Sequence, residues 1–283
     1  MYAFAILANL LLASVAIAIP TSAERRAARH ARRVRNHLSH PAVPQSSQSS
    51  KFDVAAVNVT QETFTTNWAG AVWSEGQGTF TSVTGTFTVP TASGSGSSSA
   101  SAWVGIDGAS CGNAILQTGV DFNADGTYDG ESFRVNLTCQ TSGAYPVFLS
   151  LAWYEWYPAG AVDFQNFPIN SGDVITVTVT ATSTTSGTAV IENTTQNQQV
   201  TQDLTSSSAL CEQDAEWIVE DFEENGGLVP FADFGTVTFS QASATSSSGS
   251  VSPSGATVYD IQQNGQQLTQ TTIDGSDVTI QYQ

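Results

Sequence analysis

Alternation of apolar and polar residues is the feature that most constrains the fold of this chain. It recurs in short segments separated by Gly, Ser and Thr turns. Val, Thr, Ile and aromatic residues dominate these segments, which is typical of half-buried β-strands, and no amphipathic helical stretch of any length stands out. The clearest examples are residues 78–90, 173–184, 187–193 and 276–283. About 220 residues of this kind suit one all-β domain, either a sandwich or a barrel.

The N-terminal part of the chain differs in composition from the rest. Residues 1–18 form an apolar run ending in an A-x-A pattern, which predicts a secretory signal peptide and a secreted, extracellular protein. Residues 19–60 are interpreted as a basic propeptide and linker, because six of the eight basic residues lie between Arg25 and Arg35. All three histidines occur in the same part: His30, His37 and His40. The predicted β domain spans residues 61–283.

The predicted domain is strongly acidic. From Val54 onward there are 23 acids, the chain's 25 less Glu24 and Asp53, and the one basic residue is Arg134. Such a surface would repel nucleic acid and anionic membranes, so neither is expected as a partner. The charge favours an acidic working medium, where carboxylates are protonated; generic solubility is the alternative.

The opposite charges of the two parts predict an interaction between them. At neutral pH the basic propeptide would be attracted to the acidic body, and the attraction would weaken in acid. We therefore expect the propeptide to be the protein's own inhibitor. A basic arm without an inhibitory role is the alternative interpretation.

The residues that are missing exclude several catalytic classes. After Lys51 the sequence has no histidine and no lysine, so Ser-His-Asp, Cys-His and Ser-Lys catalysis and His-ligated zinc are excluded from the domain. The paired D-[TS]-G loops of pepsin-type proteases are also missing. Carboxylates, amides, hydroxyls and aromatic rings remain, and a carboxylate base works best in mildly acidic water. If the chain is an enzyme, it is an acid enzyme for which we expect no cofactor and no metal.

Residues 211–225, CEQDAEWIVEDFEEN, combine seven carboxylates with side chains that require burial. Strand alternation would separate the two kinds of residue onto opposite faces. Four segments give such mixed polar and aromatic faces: Trp103, Gly105 and Asp107; Ile115, Gln117, Gly119 and Asp121; Trp153, Glu155 and Tyr157; and Glu216, Ile218, Glu220 and Phe222. The opposite faces would supply core residues, namely Val104, Ile106, Leu116, Val120, Trp217 and Val219.

Joined in one concave sheet, the four mixed faces predict a cleft lined by Trp, Glu, Gln and Asp. Crowded carboxylates there would have raised pKa values, and a glutamine amide could donate to a developing oxyanion. The alternative is that these acidic faces simply contact solvent.

Three further motifs carry weaker indications. Residues from Asp121 follow the D-x-N-x-D-G start of a calcium loop, but Ser132 stands where the loop needs Glu, which favours a β-turn. Three N-x-Thr sequons are candidate glycosylation sites, at Asn58, Asn136 and Asn193. Three cysteines leave one unpaired in an oxidising compartment, and composition alone does not say which.

The motifs NWAGAV, AWVGIDG, AILQTGVDF, WYEWYP and AEWIVEDFE occur here in the order in which they occur in the fungal glutamic peptidases, the eqolisins. The resemblance extends from Asn67 to Gln283. It implies an antiparallel β-sandwich of two curved sheets with a concave substrate cleft, and a pepstatin-insensitive acid endopeptidase.

The resemblance also implies residue roles. Glu220 is the general base that activates water and then protonates the leaving amine, a choice over Glu216 that spacing alone does not make. Gln117 orients the water and stabilises the oxyanion. The residues implied to line the cleft are Trp68, Trp103, Asp107, Asp121 and Glu155. Cys111 and Cys211 are implied to form a disulfide.

The expected partners are protein or peptide substrates and the propeptide, and nothing indicates anything other than a monomer. A carbohydrate-active or carbohydrate-binding β-sandwich is the alternative function, since paired carboxylates and aromatic platforms also suit glycosidases.

One segment departs from the family pattern: residues 130–151 stand between TYD and AWYEWYP, where relatives continue almost directly. Two explanations are open, a retained intron of 66 nucleotides in frame or a surface loop that modifies the cleft.

Overall fold

The structure is a computed structural model, and it describes residues 37–45, 62–95, 98–124 and 151–283. The predicted signal peptide, the calcium-like motif beyond residue 124, the Asn58 and Asn136 sequons and nearly all of the 130–151 segment lie outside the described residues. Within them, no helix is long and apolar enough to span a membrane.

Twenty strands make up the regular structure of the described residues. Their bounds are β1 His37–Leu38, β2 Glu62–Thr65, β3 Trp68–Ser74, β4 Phe80–Thr88, β5 Ser99–Ile106, β6 Ile115–Asn123, β7 Leu151–Tyr157, β8 Val162–Asp163, β9 Val174–Ser183, β10 Ser186–Asn193, β11 Gln198–Thr205, β12 Asp214–Glu220, β13 Glu223–Glu224, β14 Gly227–Leu228, β15 Thr236–Ser246, β16 Gly249–Val251, β17 Thr257–Gln263, β18 Gln266–Gln267, β19 Thr269–Asp274 and β20 Asp277–Tyr282.

Two large sheets carry the fold. One has nine strands in the order β18-β17-β3-β12-β5-β6-β7-β8, with β2 beside β17. The other has eight strands in the order β11-β10-β9-β4-β15-β20-β19, with β16 beside β15. All pairings are antiparallel except that of β2 with β17. The prediction of an antiparallel β-sandwich is confirmed.

The eight-stranded sheet shows why period-two alternation specifies this architecture. In β9 the apolar side chains of Ile175, Val177 and Val179 point inward and are fully buried, whereas the threonines between them point outward. The outward threonines pair across the strands: Thr84 and Thr178 lie 2.7 Å apart between their hydroxyl oxygens, and Thr86 and Thr176 lie 2.8 Å apart. Such cross-strand pairs fix the register, because a slip by one residue would expose the whole apolar face.

The core between the two sheets contains the side chains that alternation assigned to it. Val104, Ile106, Leu116, Val120, Trp217 and Val219 all belong to one buried cluster. The Trp217 indole also donates a hydrogen bond of 2.8 Å to the carbonyl oxygen of Thr84, which ties the nine-stranded sheet to its partner. The alternate residues of the same strands therefore face away from the core, onto the surface that we call the cleft face.

Candidate active site

Five adjacent strands, β3, β12, β5, β6 and β7, form the cleft face, and their register arranges its side chains in rows. The first row is Trp68, Glu220, Ser101 and Asp121; the second is Gly70, Ile218, Trp103, Gly119 and Trp153; the third is Val72, Glu216, Gly105, Gln117 and Glu155. The mixed faces predicted from the sequence are thus brought together on one sheet. The alternative, that they contact solvent, is wrong for these rows, because Glu155, Glu216 and Glu220 are buried.

Two glycines make room for the large side chains of the cleft face. A Cβ at Gly119 would lie 2.4 Å from the carbonyl oxygen of Ala102 and 2.5 Å from the Cβ of Trp103. A Cβ at Gly105 would lie 2.8 Å from the six-membered ring of Trp103. Trp103 therefore extends over Gly105, and only a glycine leaves the space that its ring fills.

Glu220 is held by two donors. The Trp103 indole donates a hydrogen bond of 2.9 Å to Oε2, and the backbone amide of His40 donates one of 3.1 Å to Oε1. Burial raises the pKa of Glu220 to about 7, opposed by the nearby Ser39 hydroxyl, the His40 amide, the charge of His37 and the indole. The Ser39 hydroxyl lies too far away, or at too poor an angle, for a regular hydrogen bond.

The third row contains polar groups that the described residues leave unpaired. Both side-chain atoms of Gln117, both carboxyl oxygens of Glu216 and Oε1 of Glu155 are buried without a hydrogen-bond partner in the described structure. Burial first, and neighbouring acids second, hold the pKa values of Glu155 and Glu216 well above the ordinary range. Burial therefore favours the neutral form of both carboxyls.

Residues 37–45, which we call the N-terminal segment, lie across the cleft face. β1 pairs antiparallel with β13, so the segment adds a strand at the edge of the cleft. Its Ser39 amide donates to Glu155 Oε2 at 3.3 Å. His37 is buried, with Nδ1 3.2 Å from Asp121 Oδ2 and its ring 4.1 Å from that of Phe222.

Asn67 holds the second half of the segment, a role that reasoning from the sequence missed. Its Nδ2 donates to the carbonyl oxygens of His40 and Pro41 at 3.3 and 3.2 Å, and its Oδ1 accepts from the Val43 amide at 3.0 Å. The signal was present, since Asn67 opens the NWAGAV motif. A side chain that binds only backbone groups of an extended peptide can accept many sequences.

The part of the cleft face around Cys111 and Cys211, which we call the disulfide end, differs from the third row because its buried carboxylate has hydrogen-bond partners. Cys111 and Cys211 are bridged with an S–S distance of 2.05 Å, as the resemblance implied. The Asp107 carboxylate accepts hydrogen bonds from the backbone amides of residues 211–214, at 2.6 to 3.2 Å. Asp107 was expected to line the substrate cleft; the structure instead places its carboxylate under this turn, fully buried.

Asp107, Cys111 and Cys211 are also grouped closely enough to suggest a metal site. The two sulfurs are bonded to each other and are not free to act as thiolate ligands.

The remaining expected cleft residues lie in the rows described above. Trp68 packs edge-on against Trp103, with ring centroids 4.9 Å apart, and Asp121 and Glu155 face the N-terminal segment.

The structure argues against Asn193 as a glycosylation site. Its amide is buried, with Nδ2 donating to Asp173 at 2.8 Å and Oδ1 accepting from the Gln196 amide. A glycan on Nδ2 is incompatible with this arrangement.

Comparison with known proteins shows the family of the chain. The model of the Peptidase A4 family matches residues 66–282. Aspergillopepsin-2 of Aspergillus niger is 44% identical over 301 aligned positions, which cover 98% of each protein. Scytalidopepsin B of Scytalidium lignicola is 40% identical over 235 positions, covering 80% of this chain and 81% of that protein.

Solved structures give the same result. A crystal structure of scytalido-glutamic peptidase with a transition state analog inhibitor superposes with a TM-score of 0.66 at 40% identity, covering 77% of this chain and 98% of that one. The structure of aspergilloglutamic peptidase from Aspergillus niger gives 0.55 at 49% identity, covering 65% and 99%. These relatives are peptidases, which favours that activity over the carbohydrate alternative. The chain belongs to the Peptidase A4 family, the eqolisins, and is a glutamic-type peptidase.

Proposed function

We propose that this protein is a secreted acid endopeptidase that uses Gln117 and Glu220 as its catalytic dyad. The observation that carries the proposal is the hydrogen bond of 3.1 Å from the His40 amide to Glu220 Oε1. In it, the nitrogen of a peptide bond in an extended segment lies against a buried carboxyl. That is the contact a base needs if it is to return a proton to a leaving amine.

The proposed reaction uses one water and forms no covalent intermediate with the protein. Ionised Glu220 takes a proton from the water, whose oxygen then bonds to the carbonyl carbon of the substrate. Gln117 Nε2 donates to the oxyanion that develops. Glu220 returns the proton to the amide nitrogen as the C–N bond breaks, leaving a carboxylic acid and an amine. The Trp103 indole, 2.9 Å from Oε2, keeps the Glu220 carboxyl oriented throughout.

Pepstatin insensitivity is part of the proposal, because the sequence lacks the paired D-[TS]-G loops of pepsin-type enzymes. Secretion is proposed from the 1–18 signal-peptide pattern. The fungal relatives also suggest an extracellular protein.

We further propose that the N-terminal segment belongs to an inhibitory propeptide. It covers Glu220, whose carboxyl is fully buried. Burial raises the pKa of this carboxyl to about 7, although contacts with the segment itself oppose the rise, so that in acid the covered base is neutral. Gln117 Nε2 donates no hydrogen bond to the carbonyl groups of the segment in the described structure. The segment thus occupies the base without engaging the oxyanion donor, which explains how it could block the site and resist cleavage.

The proposal is tested by digestion of a denatured protein at pH 3–4 with pepstatin present. The wild type is compared with Glu220→Gln and Gln117→Ala, each freed of its N-terminal part in trans by tagged wild-type enzyme that is then removed. We expect robust cleavage by the wild type and a loss of about 10²- to 10⁴-fold in each variant. Full activity in either folded variant would show that the dyad is assigned to the wrong residues.

The inhibitory role is tested with a synthetic peptide of residues 37–45. We expect it to inhibit the mature enzyme, and the matched peptide with His40→Pro to inhibit at least about tenfold less, since proline has no amide hydrogen for Glu220. Equal inhibition by the two peptides would refute the contact as the basis of inhibition.

A further inference from the structure

The third row of the cleft face contains a buried acid to which the dyad gives no role. Glu216 lies on β12 directly across Gly105 from Gln117, since Gly105 pairs with Glu216 on one side and with Gln117 on the other. It is fully buried. Neither of its carboxyl oxygens has a hydrogen-bond partner in the described structure. A buried carboxyl without partners is costly, so an unpaired one in a native site calls for a ligand or a function.

The Glu216 carboxyl leans toward Gln117. Its Oε2 lies 3.4 Å from the point that a Cβ of residue 105 would occupy, which places it above Gly105. Neighbouring strands are about 4.8 Å apart, so a group above Gly105 lies between the backbones that carry Glu216 and Gln117. The Trp103 ring, itself fully buried, covers the same glycine, with its Cζ3 2.8 Å from that point.

The side-chain amide of Gln117 needs a hydrogen-bond partner that fixes its orientation. Its Oε1 and Nε2 are nearly alike in size but opposite in hydrogen bonding, so packing alone does not decide which of them faces the substrate. Both atoms are buried and unpaired in the described structure. Only the orientation with Nε2 toward the reacting carbonyl gives an oxyanion donor.

The groups around Glu216 favour its neutral form. Burial raises the pKa of Glu216 well above the ordinary range, and the charges of Asp214 and Asp107 raise it further. Tyr259, whose pKa burial and the charges of Asp214 and Glu216 raise to about 12, remains a neutral phenol. A neutral carboxyl is a hydrogen-bond donor as well as an acceptor.

We propose that Glu216 is a positioning residue for the dyad: its carboxyl donates to Oε1 of Gln117, directly or through one water, and so turns Nε2 toward the substrate. This inference rests on the proposed dyad. Glu216 neither touches the substrate nor transfers a proton; it fixes which end of the amide is offered to the oxyanion. On ionisation it would lose its donor, and the orientation of Gln117 would be lost with it.

The test compares two substitutions of one residue in the processed enzyme. Glu216→Gln keeps the shape and a neutral donor at every pH, whereas Glu216→Met keeps the length and removes the donor. Asp260→Asn is the matched control, because Asp260 is also buried but bonds to the hydroxyls of Thr269 and Thr271 rather than facing Gln117. kcat and KM are measured from pH 3 to 7 and normalised to folded protein.

We expect Glu216→Met to lower kcat at least about tenfold with KM within about twofold, and Glu216→Gln to stay within about threefold of the wild type. We also expect Glu216→Gln to retain activity to a higher pH than the wild type, and Asp260→Asn to leave kcat at pH 4 unchanged. A kcat within threefold in Glu216→Met, or equal losses in the two Glu216 variants, would overturn the proposal.

The outcome is separable from failure of the dyad. If Gln117→Ala is fully active, the dyad is wrong and the role of Glu216 fails with it. If Gln117→Ala is inactive while Glu216→Met is active, the dyad stands and only the positioning role fails. Should Glu216→Met not fold, Glu216→Gln decides alone: a kcat loss beyond tenfold, or an unmoved upper pH limit, contradicts the proposal.

Discussion

The disulfide end and the centre of the cleft face both bury carboxyl groups, but the disulfide end provides its carboxyls with more hydrogen-bond donors. At the disulfide end Asp107 accepts from four backbone amides, and Asp214 accepts from the Ser110 amide and hydroxyl and the Cys111 amide. In the centre, Glu220 accepts from two donors, but Glu155 has one partner, the Ser39 amide, and Glu216 has none in the described structure. Saturated acids hold backbone in place, whereas unsaturated acids are available to water and substrate.

The largest expected loss of stability follows from removing the Cys111–Cys211 bridge. It closes a loop of 100 residues, and loop-closure entropy gives about 5 kcal/mol for a loop of that length. The double substitution to serine should lower the free energy of unfolding by about this amount in chemical denaturation. Cys139→Ser removes a cysteine that is not part of this bridge and serves as control. A similar loss in the control would mean that the bridge is not the cause.

Asp107→Asn should be the next most damaging change. The asparagine amide nitrogen would face backbone N–H groups that now donate to a carboxylate, so at least one hydrogen bond is lost and a donor is set against donors. We expect a loss of about 2–3 kcal/mol in the free energy of unfolding. Unchanged stability would contradict the distinction between the disulfide end and the centre of the cleft face.

Gly105→Ala should affect catalysis more than stability. The new methyl group would lie 2.8 Å from the Trp103 ring and 3.4 Å from Glu216 Oε2, so the indole that holds Glu220 must shift. We expect kcat/KM to fall about 10- to 100-fold. Gly76→Ala is the control, since its Cβ would meet only the Thr79 hydroxyl, at 4.0 Å. Wild-type activity in Gly105→Ala would show that the position of Trp103 is unimportant.

The centre of the cleft face should also make stability depend on pH. The folded protein raises the pKa of Glu220 from its ordinary 4.5, and that of Asp221 from 3.8, to about 7 in each case. Below the ordinary values both states are protonated and stability is fully present. As pH rises toward 7 the unfolded chain releases its protons first, so stability falls. The melting temperature of the intact chain should be higher at pH 4 than at pH 7.5, and the opposite order would contradict the raised values.

The smallest effect is expected from Asp260→Asn. Burial raises the pKa of Asp260 to about 6, and its Oδ1 accepts from Thr269 and Thr271, a role that an amide oxygen can keep. The variant should fold normally. Its stability should decline slightly less between pH 4 and pH 6 than that of the wild type. A fall in melting temperature at pH 4 as large as that of Asp107→Asn would show that Asp260 is held like a disulfide-end acid.

Alternation within strands predicted much of this molecule because it is a local property. It separated Glu216, Ile218 and Glu220 from Trp217 and Val219, and the two sets do lie on opposite faces of β12. The pairing of Cys111 with Cys211 came from the family resemblance rather than from spacing.

The register between strands and the residues that occupy the cleft could not be predicted from the sequence, because both depend on contacts between segments that are distant in the chain. No local pattern shows that Asp107 lies beneath residues 211–214, or that Asn193 is buried against Asp173. Nor does the sequence show that Ser39 and His40 reach Glu155 and Glu220. The basic charge of the N-terminal part predicted an attraction to the acidic domain, whereas the backbone contacts of residues 37–45 with the cleft face are seen only in the fold.

The most direct test of the account is to measure activity and stability together in Glu220→Gln, freed of its N-terminal part in trans. We predict that at pH 4 kcat/KM falls at least about 100-fold while the free energy of unfolding stays within about 1 kcal/mol of the wild type, since in our proposal Glu220 serves catalysis rather than structure. Retained activity, or an activity loss that matches a loss of folded protein, would contradict the account.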